Sequence, residues 1–226
     1  MARTKHTDPP RIRAERRAKD PRASRGSGDI SDAHARARLF KELGITLVPQ
    51  GIATDEDRSL PRITTTRPRV GFAHPLDRRE IRRMLTFVGP IGTYGIKTVE
   101  LRHRPGEQAG TISLARYRSP DSILLFEQPT PPWVLPGRLN EATAVRLHRA
   151  GALIDLAEMT TVIDWPDDSL SLFMAFDGLL HEIGHHVIQQ YEGKRNIRKK
   201  RTADHERRAD AFALACRKAW TDEAGR

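Results

Sequence analysis

The sequence predicts an α+β domain in which a small sheet, antiparallel or mixed, packs on one long apolar helix and a further helix closes the C-terminal end. Three observations lead there. Segments 96–102 (IKTVELR), 111–117 (TISLARY) and 122–127 (SILLFE) are short and rich in strand formers. Phe173, Phe176, Leu180, Ile183 and Val187 recur at helical spacing, and so do Ala209, Phe212, Ala213, Cys216 and Trp220 in the last stretch. At 226 residues the chain is long enough for one well-buried domain plus tails, and too short for two full-sized ones.

Taken in order, residues 1–30 predict a disordered basic arm. Residues 1–28 hold nine Lys/Arg against Asp8, Glu15 and Asp20, with prolines and glycines and almost no large apolar side chain to offset the entropy of ordering. Residues 31–69 predict a short helix and a linker. Ser31 is a candidate N-cap, Leu39, Phe40 and Leu43 make an apolar patch before Gly44, and 49–70 carries Pro49, Pro61 and Pro68 without periodicity. The main domain is expected over 70–226. Asp77 and Glu80 have capping-box spacing, and Ile81, Met84, Leu85 and Val88 share a helical face that ends at Gly89-Pro90.

The three strand segments follow, the last two joined through Arg118, Ser119, Pro120 and Asp121 as a hairpin. Proline-rich 129–136 predicts a loop. Residues 143–165 read either as helix or as strands, with 152–156 and 161–165 favouring strands. Pro166, Asp167, Asp168 and Ser169 start the long helix, expected to run to Gly193, and the last helix is expected over about 202–220.

Composition narrows the function. The formal net charge is +10, of which the first 28 residues supply +6, so polyanions are plausible partners and nucleic acid is one candidate ligand of the arm. No run approaches the length of a membrane helix and the Met1 end lacks the apolar core of a signal peptide, so the expected location is cytoplasmic with no membrane partner. The single cysteine, Cys216, excludes an internal disulfide framework and a cysteine-rich zinc site, leaving histidines and carboxylates to hold any metal.

Such residues stand inside the long helix. His181-Glu182-Ile183-Gly184-His185 matches HExxH, which puts two imidazoles one turn apart on one face, where they can grip one zinc ion. Glu182, rotated from that seam but adjacent to it, suits a general base acting on a metal-activated water. A third ligand is still needed. Ile188 and Tyr191 stand where a metzincin would have glycine and histidine, so another element must supply it. The last helix offers Asp204, His205, Glu206 and Asp210; Glu206 and Asp210 are one turn apart, so one can bind metal while the other orients a ligand histidine. His205 is the main rival ligand, and it or Tyr191 is a candidate donor to a tetrahedral intermediate. His186 is expected to point about 100° away from the pair, in a supporting or surface role. Cys216 is expected in the core, and the basic run 194–201 as a solvated loop.

With HEIGH at 181–185 and ERRAD at 206–210, the chain resembles the gluzincin metallopeptidases, most closely the ImmA/IrrE type, through Glu206-Arg-Arg-Ala-Asp-Ala-Phe-Ala213. The resemblance implies a zincin-like fold, His181, His185 and Glu206 as zinc ligands, Glu182 as base, and Asp210 as acceptor for a ligand histidine. It also implies a sheet edge beside the active helix that can pair with an extended peptide, and a protein or peptide substrate, transcriptional regulators among them. The expected activity is that of a zinc-dependent peptidase. The alternative is a nucleic-acid-associated binding protein whose zinc site is structural or degenerate.

Overall fold

The computed structural model describes residues 60–106, 112–156, 159–191 and 202–224. The basic arm, the helix expected after Ser31 and the basic run 194–201 lie outside them.

Strand β1, Arg62–Thr65, falls inside the stretch expected to be a connector. Pairing explains the difference: it lies parallel to β3, Thr98–Arg102, so its backbone groups are satisfied by a strand more than 30 residues away that no local pattern reveals. Such a parallel pair needs a crossover, and after the short β2, Phe72–Ala73, helix α1, Arg78–Thr93, supplies it. Asp77 caps α1 as expected: its side chain accepts the Glu80 N–H, and the Glu80 carboxylate accepts the Asp77 N–H. Gly89 leaves the helical region at φ 77°, ψ −178°, where the Gly-Pro stop was expected, and one more turn runs on to Thr93 beyond it.

β3 pairs in parallel with β5, Ser122–Phe126, and β5 carries the expected hairpin partner β4, Ala115–Arg118, antiparallel on its far side. The main sheet is therefore mixed, in the order β1-β3-β5-β4, with β4 at an edge. Val99, Leu101, Ile123 and Leu125 point from it into the core. Each such fully buried side chain contributes about 1.5–3 kcal/mol.

The proline-rich stretch contains two strands where a loop was expected. β6, Gln128–Pro129, pairs with β2, and β7, Trp133–Pro136, pairs with β9, Thr160–Asp164. Trp133 anchors β7 by stacking edge-on against Trp165, and the prolines are tolerated because β6 and β7 are short and β7 is an edge strand. The ambiguous stretch resolves both ways: α2, Glu141–Arg149, capped by Asn140, precedes β8, Leu153–Leu156, which pairs with β9.

The long helix is continuous but not uniform. α3, Ser169–Phe173, passes through a π-helical stretch, Met174–Leu180, into α4, His181–Tyr191. Its expected stripe is buried, but so are Met174, Ala175 and Leu179 between the stripe positions. It is therefore a central helix buried on all sides, not a one-faced one. Across it packs α5, Ala203–Ala224, which starts where the Thr202 hydroxyl accepts the His205 N–H, the position of an N-cap. Among the described residues no helix is long and apolar enough to cross a membrane.

Candidate metal centre

Local sequence sets where the histidines stand. His181 opens α4 directly after the π stretch and His185 follows one turn later, so both imidazoles leave the same face. Gly184 lies between them. A Cβ there would come within 3.1 Å of the Ala209 Cα, 3.2 Å of the Ala209 carbonyl oxygen and 3.3 Å of the Phe212 Cβ. Gly184 facing Ala209 thus lets α4 and α5 approach closely, and the approach brings Glu206, three residues before Ala209, onto the histidine pair.

The resulting geometry is tight. His185 Nε2 is 3.1 Å from His181 Nε2, and Glu206 Oε2 is 3.3 Å from the first imidazole and 3.4 Å from the second. These three side chains form a group that could hold a metal ion. The histidines are buried and Glu206 is partly exposed. Two imidazole lone pairs this close repel unless a cation or a proton lies between them. Asp210 stands outside the trio with Oδ1 2.9 Å from His181 Nδ1. That imidazole holds the Asp210 carboxyl below the usual carboxylate range; burial opposes the effect and Arg146 and Arg149 reinforce it. A proton placed on Nδ1 toward Asp210 would leave the His181 Nε2 lone pair facing the trio.

Glu182 lies 4% exposed between the two histidines in sequence, and its Oε2 accepts the backbone N–H of Tyr117 at 2.6 Å. This bond ties the base candidate to the edge strand β4.

The chain matches no family model, no characterised protein and no solved structure. The site's own geometry therefore carries the functional reading.

The structure brings together His181, His185, Glu206 and Asp210, and separates His205 from the trio. The His205 ring lies beside His185, with 6.5 Å between ring centroids. His186 is fully buried, which removes the surface alternative: its ring nitrogens lie 2.7 Å from the Tyr94 carbonyl oxygen and 3.1 Å from the Tyr117 hydroxyl. Cys216 is buried as expected, and burial pushes its thiol up to about 12, so it stays an uncharged core group. The Tyr191 side chain lies outside what is described.

Two supports had no sequence signal. Tyr117 offers its N–H to Glu182 across 65 residues, and burial pushes its phenol up, keeping it a neutral partner for His186. Asp177 is buried one turn before His181 and gathers three guanidiniums: Arg146 at 2.9 Å, Arg149 at 3.5 Å and Arg217. It thereby locks α2 and α5 to the π stretch that leads into the site. Gly184 did carry a signal, since glycine inside an apolar helix costs about 1 kcal/mol and asks for a packing reason.

Proposed function

We propose that the protein is a zinc-dependent peptidase of the gluzincin kind, with His181, His185 and Glu206 as ligands and Glu182 as general base. The carrying observation is the triangle of donor atoms. Zinc–ligand distances of about 2.0–2.1 Å at tetrahedral angles put ligand atoms about 3.3–3.4 Å apart. The three edges here are 3.1, 3.3 and 3.4 Å. Three protein ligands, with no fourth in the group among the described residues, fit the pattern of a catalytic, open site.

Zinc held there supplies a Lewis acid that brings the pKa of water towards about 7 and polarises a carbonyl. The chain's own groups do the rest. Glu182 takes the proton of the attacking water and returns it to the leaving amine, while the Tyr117 N–H keeps the carboxylate in place. Asp210 holds the His181 tautomer, and the edge of β4 beside Glu182 lies where an extended peptide could be aligned.

The competing reading is a nucleic-acid-associated protein whose zinc site is structural or degenerate, and in its structural form it would need a fourth protein ligand. Among the described residues the donor group has three members, and His205 is not one of them. The test is Glu182→Gln, assayed beside the parent for zinc content and for new peptide termini generated from a proteome-derived peptide pool, read by mass spectrometry. The parent is expected to bind about one zinc and cleave; the variant should bind the same zinc and leave the pool intact, because an amide cannot serve as base. Equal cleavage by both proteins, or none by the zinc-loaded parent, would remove the peptidase reading.

A further inference from the structure

The main sheet buries one face against the helices and leaves the other with its own chemistry. Side chains alternate along a strand, so the residues between Val99, Leu101, Ile123 and Leu125 project to the opposite side. Register arranges them in rows. One row has Arg118 and Arg62 at its ends with Ser122 and Thr98 between them. The next holds Arg116, Leu124, Glu100 and Thr64, and the third pairs Arg102 with Phe126.

Four guanidiniums thus share a face with one carboxylate. Glu100 pairs with Arg102 and Arg118, each at 2.9 Å. Arg62 and Arg116 have no ion pair or side-chain hydrogen bond among the described residues, which leaves a formal excess of +3. A 350 Å³ groove runs here between Arg102, His103 and Arg116, with Leu124 and Phe126 as its apolar floor. None of these groups takes part in the metal centre.

We infer that this open face is a binding surface for a single-stranded polynucleotide, held by its phosphates at the arginines with an unstacked base over the Leu124 floor. Dimensions favour a single strand. Four strands span about 14 Å and successive rows lie about 7 Å apart, which makes a flat platform too wide for the roughly 12 Å major groove of a duplex. Arginines supply bidentate phosphate contacts without sequence preference.

The test uses the full chain and fluorescence anisotropy of labelled 20-residue oligothymidylate and oligouridylate over a salt series, with a 20-base-pair duplex as competitor. Arg62→Ala combined with Arg116→Ala removes two cations that make no ion pair or side-chain hydrogen bond among the described residues. It should weaken binding about 10-fold and flatten the log–log salt dependence by about 1.4, since each lost single-strand phosphate contact is worth about 0.7. Arg79→Ala with Arg82→Ala, an equal loss of charge on exposed positions of α1, should leave affinity within about 2-fold. Glu182→Gln should bind as the parent does, so failure here and failure of the peptidase reading are separable. Equal weakening by both double variants, no change in the first, or competition by duplex as strong as by single strand would each overturn the assignment.

Discussion

His181 and His185 present nitrogen atoms 3.1 Å apart with a carboxylate oxygen 3.3 and 3.4 Å away, an arrangement that a divalent cation, or a proton shared between the two nitrogens, would satisfy. Each residue then has a distinct expected cost. Glu206→Ala should lose most zinc affinity, since two imidazoles alone make a poor site. Asp210→Ala should lose about 10-fold to 100-fold, because it frees the His181 ring without removing a ligand. His205→Ala should keep the metal. Competition titration with a chromogenic chelator separates the three; zinc loss in His205→Ala with retention in Glu206→Ala would require a different ligand set. The spacing of HEIGH and ERRAD made these residues legible in the sequence, because helical periodicity converts i, i+4 directly into a shared face. Tyr117 was not legible, since its contribution is a backbone N–H whose aim depends on which strand ends at the sheet edge.

Between elements, the crossing of α4 over α5 sets the reach of Glu206. Gly184→Val puts a branched side chain against main-chain atoms of Ala209 at 3.1 and 3.2 Å, where the flexible end of a side chain could yield but a helix backbone cannot without moving. It should destabilise the fold by about 1–3 kcal/mol, lower the melting temperature by about 2–4 °C per kcal/mol, and weaken zinc binding more than His205→Ala does. A raised melting temperature with unchanged zinc affinity would show that the close approach is not what positions the site. The helices with clear caps or apolar stripes were readable: the Asp77 box, the π-interrupted central helix and the last helix all stand near their expected positions. β1 and β7 were not, because each is short, flanked by prolines and stabilised by a partner more than 20 residues away.

At the scale of the whole domain, one buried charge ties the entry of the chain to the sheet. The Glu127 side chain is 0% exposed and accepts both the Arg69 guanidinium and the Arg69 N–H, the latter at 2.8 Å. Burial pushes its carboxyl up, but the Arg69 amide and guanidinium push it down further, and it ends below the usual range. A depressed carboxyl stabilises the fold above the ordinary glutamate range, and that contribution is lost as pH falls through the lowered folded value. Glu127→Gln should therefore cost about 2 kcal/mol at neutral pH, with the gap from the parent narrowing under acid, measured by urea unfolding at several pH values; a gap constant with pH would show that the ion pair does not act through ionisation. The mixed sheet order and the open basic face follow from such long-range pairings, which is why neither could be read from local pattern. The metal centre is tested most directly by anomalous diffraction at the zinc edge from zinc-loaded crystals. One peak is predicted, within about 2.0–2.2 Å of His181 Nε2, His185 Nε2 and a Glu206 oxygen, with no fourth protein ligand. A peak closed by His205, or no peak between the two histidines, would contradict a catalytic zinc at this site.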